Sequence, residues 1–281
     1  MGVVMSQSFD MLCQSAFRKI FNKQRFVFIF SSLCCFGFVF SLLFKLCSDF
    51  ISELSIFTLG LVAFFSAFCV ICASAVVVQF LLRAEEEERY QSIKEVFCNH
   101  WKSLWLSLLV SMPFFICMVV ISTVIIFSIF LNSLPWVGRI FHTLLIFVPY
   151  LSSMALILLF LTAFASLFFC APALHVCEGI AYMKLIDCFR GSVLRQGTGF
   201  IIAIMPLILS GWLVWDSFYL MSYLVDMSEV HTWSFLVEMI VLVIPVALTL
   251  TPALSFFFNF SFNFYQDKEK QQEASEALFR G

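Results

Sequence analysis

The residues able to do chemistry in this chain are four histidines, eleven cysteines and a short acidic run. His175, Cys177 and Glu178 form the densest cluster, with Asp187 close behind in sequence. A zinc site needs three or four ligands converging on one point. Near-consecutive residues at a helix break cannot all face one ion, and no H-E-x-x-H helix is present. The expectation is no metal site, with Glu178 instead favouring the N-terminus of the helix that follows. His100, His142 and His231 stand alone. Cys69 and Cys72 have the C-x-x-C spacing of redox and metal motifs. They lie among Phe68, Val70 and Ile71 without a second Cys pair or a nearby His, so they read as small hydrophobes. Cys34, Cys35, Cys117 and Cys170 read the same way.

The run Glu85–Glu88 followed by Arg89 has the composition, but not the interval, of the Glu-Glu and Arg motif of prenyl-type intramembrane endopeptidases. The histidines such an enzyme carries in later helices are absent. The run is expected to cap the next helix, where carboxylates are stabilising by about 0.3–1 kcal/mol. Gly197-Thr198-Gly199 is expected to act as a flexible hinge. No Gly-rich phosphate loop and no G-x-S-x-G occur. The sequence thus points to a non-enzymatic protein without cofactor.

The elements that carry these residues are apolar. Of 281 residues, 62% are hydrophobic and 12% charged, 38 are Phe, and the formal net charge is -2. The mean hydropathy is +1.01. Soluble domains have about 25% charged residues, so this composition excludes disorder, secreted disulfide scaffolds and nucleic-acid binding. A spanning helix needs about 20 mostly apolar residues. Six stretches qualify, roughly 26–48, 54–82, 104–131, 140–174, 200–224 and 235–265. The expected fold class is all-α, a single membrane domain over 1–281 with a short tail at 266–281. The first apolar run begins too late and runs too long for a cleavable signal.

Lys and Arg placement orients the spans. Arg18, Lys19, Lys23 and Arg25 precede the first span. Arg83, Arg89, Lys94 and Lys102 lie between the second and third, and Lys184, Arg190 and Arg195 between the fourth and fifth. Lys268, Lys270 and Arg280 occupy the tail, leaving only Lys45 and Arg139 for the opposite side. Both termini are therefore expected in the cytoplasm, at an inner or plasma membrane. Three cytoplasmic segments show helical amphipathicity. In the first, Phe9, Leu12, Cys13, Ala16, Phe17, Ile20 and Phe21 oppose Asp10, Gln14, Arg18, Lys19 and Lys23. In the second, Tyr90, Ile93, Phe97, Trp101, Leu104 and Trp105 oppose Lys94, Glu95, Asn99 and Lys102. In the third, Tyr182, Leu185, Ile186, Phe189 and Val193 oppose Lys184, Asp187, Arg190 and Arg195. Each is expected to lie in the headgroup plane as an elbow before a span.

The second and third units align without gaps. Ile93 falls on Ile186, Lys102 on Arg195, Met112 on Met205 and Pro113 on Pro206, all at an offset of 93, and Pro149 and Pro245 in the following helices are related at an offset of 96. A proline within a span removes a backbone hydrogen bond and tends to kink the helix. The pattern predicts parallel two-span repeats over 9–82, 90–175 and 182–265, with Ser32 replacing the proline in the first.

From Phe169 to Pro206 a span ends near Pro172, Glu178 and Gly179 follow, and an elbow leads into the next span. Here the chain resembles the six-span membrane domain attached to some glycerophosphodiester phosphodiesterases, and the stand-alone relatives of that domain. Cys188 and Phe189 stand where that family often has Ser-Trp, and Lys184 where it has a small residue. The resemblance implies six spans with re-entering elbows and no catalysis, since the phosphodiesterase reaction belongs to a separate soluble domain.

Asp216, Glu238, Lys45 and Arg139 all fall near the external side, leaving no charge at the midplane where an ion-coupled pump needs one. Ser111, Thr123, Ser152, Ser153, Thr162, Ser166, Ser210, Thr249 and Thr251 are expected to pack helices and to satisfy carbonyls freed by the prolines. Taken together, the residues point to a protein that organises membrane lipids or a membrane-protein partner. Arg18, Lys19 and Lys23 would be its surface contacts. The alternative is a permease or accessory transport subunit for a small or lipophilic solute, with the spans containing Pro113, Pro206, Pro149 and Pro245 as its moving part.

Overall fold

The computed structural model describes residues 9–48, 53–89, 91–133, 137–174, 193–224 and 232–280, and all its regular elements are helices. They are α1 (Phe9–Arg18), α2 (Lys23–Ser48), α3 (Glu53–Glu86), α4 (Ile93–Asn99), α5 (Trp101–Ser133), α6 (Val137–Leu174), α7 (Val193–Leu224) and α8 (Thr232–Arg280). Among the described residues five stretches are long and apolar enough to cross a membrane: Lys23–Leu42, Ser66–Glu86, Phe147–Phe169, Leu194–Ser217 and Ile240–Lys268. A shorter apolar stretch, Met112–Ser128, lies in α5. The chain is a multi-pass helical membrane protein. Most of the third expected elbow, 182–192, lies outside the described residues, as do His175, Cys177, Glu178, Asp187 and His231.

Local chemistry sets the helix ends. After α1 the chain turns through Lys19–Phe21, and the Asn22 side-chain oxygen accepts from the Gln24 backbone N–H at 3.2 Å, capping α2. α3 ends in a Schellman turn: the Arg89 N–H donates to the Ala84 carbonyl at 2.8 Å and the Glu88 N–H to that of Glu85 at 3.3 Å. The C′ position of that motif needs a left-handed residue, usually Gly. Here it is Glu88, at φ 55, a conformation in which a side chain with Cβ is strained. α4 opens with a capping box, in which the Glu95 N–H donates to Ser92 Oγ and the Ser92 N–H to Glu95 Oε2.

The acidic run therefore does not cap α4 as expected. Glu85 and Glu86 close α3, at a helix C-terminus, where the dipole disfavours carboxylates. Their charge is used sideways instead, in pairs with Arg25 and with Gln266.

α8 is the hub. It packs against α1, α2, α3, α6 and α7, and every residue from Ala253 to Phe264 is buried. Phe168 of α6 and Phe257, Phe260 and Phe264 of α8 form an aromatic core, with ring centroids 5.7–6.3 Å from Phe168. Gly199 lets α7 close on this core: a Cβ there would sit 2.8 Å from the Phe264 ring. The Gly197-Thr198-Gly199 segment is helical, not a hinge, and only Gly197 faces open space. A second cluster joins Val76, Val77, Phe80 and Leu81 of α3 to Val96 of α4 and Leu104 of α5. By contrast α5 and α6 pair mainly with each other and leave Val119, Phe127, Leu151 and Leu158 exposed.

Candidate functional site

Two features stand out, a polar junction where α1, α2, α3, α4 and α8 meet and an apolar cavity deeper in the bundle. The junction centres on Arg25, which is 2% exposed. Its Nη1 donates to Asn259 Oδ1 at 3.0 Å, and its Nη2 lies 3.0 Å from Glu85 Oε2. Gln79 Nε2 donates to the Phe258 carbonyl at 3.1 Å. Buried polar groups need partners. Gln79 Oε1, an acceptor, and Asn259 Nδ2, a donor, have no protein partner among the described residues.

Around this centre α8 presents polar side chains four residues apart, one helical neighbour after another. Ser255 Oγ donates to the Ile20 carbonyl at 3.1 Å, Asn263 Nδ2 to Ser15 Oγ at 3.3 Å, and Arg195 Nη2 to Asp267 Oδ2 at 2.6 Å. Thr251, buried, bonds back to the Ala247 carbonyl within its own helix. Off this row, Ser261 Oγ donates to the Phe168 carbonyl. One helix thus ties α1, α2, α6 and α7 together at the same end. The sequence signal is the series Thr251, Ser255, Asn259, Asn263 and Asp267, whose spacing was not read at sequence level. In the sequence Arg25 counts only among the cations that orient the first span.

Of the cations singled out from sequence, Arg18 and Lys23 are exposed and Lys19 is half-buried. Leu12, Ala16 and Ile20 bury against the bundle, whereas Phe17 and Phe21 are exposed beside the basic residues. The second segment divides likewise. Val96, not counted on the apolar face, is fully buried with Leu104, while Trp101 and Trp105 are exposed. His100 breaks the segment into α4 and α5 and stacks on Phe80, with ring centroids 3.9 Å apart. Burial holds the His100 imidazole below its ordinary pKa. Burial first, then Asp10, pushes the Cys13 thiol up, away from nucleophilic thiolate.

Two clefts flank the junction. One of about 340 Å³ is lined by Phe80, Arg83, Ala84, Glu87, Arg89, Gln91, Glu95 and His100. The other, about 180 Å³, is lined by Asn22, Gln24, Arg25, Leu81, Ala84, Glu85, Arg89 and Gln91. Both carry Arg and Glu side by side. Among the described residues no three His, Cys, Asp or Glu side chains could hold a metal ion.

The four prolines lie inside helices: Pro113 in α5, Pro149 in α6, Pro206 in α7 and Pro245 in α8. Each stands a little over three turns from its helix start. Ser153, Ser210 and Thr249 donate to the carbonyls of Pro149, Pro206 and Pro245, each at 2.8 Å. This corrects the sequence expectation. A proline frees the carbonyl four residues before it (Leu145, Ile202 and Val241 here), whereas these hydroxyls bond the proline's own carbonyl. Such back-bonding adds to a helix bend rather than repairing it.

Deeper in the bundle is a half-open cavity of about 320 Å³ with a wholly apolar lining from five helices. Leu33 of α2, Phe68 of α3, Phe164 of α6, Ile208 and Gly211 of α7, and Leu254 of α8 mark its walls. Cys72 is buried in the core near this wall and Cys69 is half-buried. Asp216 is exposed near the end of the α7 apolar stretch. The side chains of Lys45, Arg139, His142 and Glu238 lie outside the described set.

No family model, no curated protein and no solved structure matches the chain.

Proposed function

We propose that this is a non-enzymatic integral membrane protein that organises lipids or partner proteins at an inner or plasma membrane. The observation that carries the reading is a set of exposed aromatic and basic side chains on the segments that meet at a bonded junction. Phe17 and Phe21 stand out along the chain from Arg18 and Lys23, and Trp101 and Trp105 flank Lys102, while Arg25 and the α8 polar row hold the helices together. Aromatic and basic residues side by side are what the headgroup layer selects.

In this reading α5 is the third of six spans, α1 and α4 are two of three cytoplasmic elbows, and both termini are cytoplasmic. The units 9–82, 90–175 and 182–265 are parallel repeats. The recurrence of a proline followed four residues later by a bonded hydroxyl in the matching helices α6 and α8 supports that equivalence. The likeness to the membrane domain of glycerophosphodiester phosphodiesterases belongs to the same proposal.

A permease is the second reading, favoured by Pro206 and Pro245 lying in the two helices that supply Ile208, Gly211, Leu250 and Leu254 to the cavity wall. The test is reconstitution in vesicles containing fluorescent anionic lipid, with lateral lipid clustering as the readout. Organisation predicts loss of clustering in Arg18→Glu/Lys19→Glu/Lys23→Glu and retention in Pro113→Ala/Pro206→Ala. The opposite order would favour the permease.

A further inference from the structure

We infer that the cavity between α2, α3, α6, α7 and α8 is a binding site for one acyl chain of a bilayer lipid. The inference goes beyond the proposed organising role, since it stands whether or not the surface residues gather lipid.

Three observations point to this occupant. The cavity is large enough for part of a ligand, about 320 Å³, and its lining has no charged or hydrogen-bonding side chain. Water needs two to four polar partners to occupy such a space, so the site excludes it. The cavity also lies at membrane depth: Leu33, Ile208 and Leu254 sit about 15 to 21 Å along their apolar stretches from the junction end. At that depth the surrounding solvent is hydrocarbon, and Ile208 in the wall is itself open to it. An unfilled void forfeits dispersion contacts along its whole lining, which a chain entering sideways restores. Gly211 lines the cavity, and nothing lies within 4 Å of where its Cβ would stand, so a larger side chain there has room to enter. Gly197, on the same helix, is equally open but does not line the cavity.

That pair of glycines supplies the experiment. The full-length protein is reconstituted with a phosphatidylethanolamine carrying a diazirine midway along one acyl chain, irradiated, and mapped by peptide mass spectrometry. Wild type is expected to concentrate adducts on Leu33, Phe164 and Leu254. Gly211→Leu should lose them, and Gly197→Leu should keep them. Adducts spread evenly over outward-facing residues such as Val119 and Leu158 in wild type would overturn the proposal, as would cavity adducts unchanged in Gly211→Leu. The wild-type map decides the matter even where a variant folds poorly. It is read independently of lipid clustering, so failure of the cavity and failure of the organising role are distinguishable.

Discussion

The stretch Ala253–Phe264 of α8 and the stretch Met112–Ser128 of α5 are both apolar, the first dominated by Phe and the second by β-branched residues, yet they occupy opposite environments. Ala253–Phe264 is buried throughout, while α5 turns Ile116, Val120, Phe127 and Phe130 outward. Hydropathy cannot separate them, because lipid tails are as apolar as a protein core and supply no force between helices. The polar residues make the difference. α8 carries Ser255, Asn259, Ser261 and Asn263 within its buried stretch, and each bonds another element. In α5, Thr123 and Ser128 bond back to their own helix at Val119 and Val124. A polar side chain that must find a partner outside its own helix draws that helix to the centre.

Breaking the aromatic core is the sharpest way to test this contrast. Phe257→Ala is expected to destabilise by about 3–5 kcal/mol, the usual loss for a buried Phe. Phe127→Ala, on the outward face of α5, should change stability by less than about 0.5 kcal/mol. Denaturation of both variants in the same detergent measures the difference, and equal losses would sink the comparison.

The junction offers the next largest effect. Glu85 is half exposed, but Arg25 is not, so Glu85→Ala strands a buried guanidinium and should cost about 3 kcal/mol. Arg25→Met/Glu85→Ala removes both charges and should be less destabilised than Glu85→Ala alone. A double-mutant cycle reads this directly, and additivity would mean that the pair is not coupled.

Two glycines separated by one residue give a smaller, signed pair. Gly199→Ala drives a methyl against the Phe264 ring and should cost about 1–3 kcal/mol, as overpacked sites do. Gly197→Ala meets nothing and should gain up to about 1 kcal/mol from helix propensity. Thermal unfolding shifts of the same sign would contradict the close approach of α7 to α8.

The smallest effect is the pH response of His100. Its folded pKa is lowered by burial, so on acidification the unfolded chain binds the proton first. The stability it contributes is fully present above the ordinary histidine value and is lost as pH falls below it. His100→Phe, which keeps a ring against Phe80, should flatten the unfolding midpoint between pH 7 and 5. An unchanged slope would remove His100 as its source.

Much of the fold was legible in the sequence, since length and hydropathy mark spanning helices without reference to their neighbours. The boundaries near Lys23 and Trp101 are set by Asn22 as a cap and by the break at His100, neither of which the hydropathy pattern marks. What escaped is pairing across the chain. Arg25 sits in a row of surface cations, and nothing local reveals that Asn259 and Glu85 will enclose it. The acidic run closes α3 rather than opening α4, and its partners, Arg25, Arg83 and Gln266, come from three helices that no local pattern joins. The cavity was invisible for the same reason, being a gap among five helices rather than a property of any one.

The organising role is tested most directly by native mass spectrometry of the full chain released gently from its own membrane, wild type beside Arg18→Glu/Lys19→Glu/Lys23→Glu. The account predicts that the wild type carries anionic lipid or a stoichiometric second polypeptide and that the triple variant loses it. Identical spectra from the two proteins, whether bare or equally loaded, would contradict it.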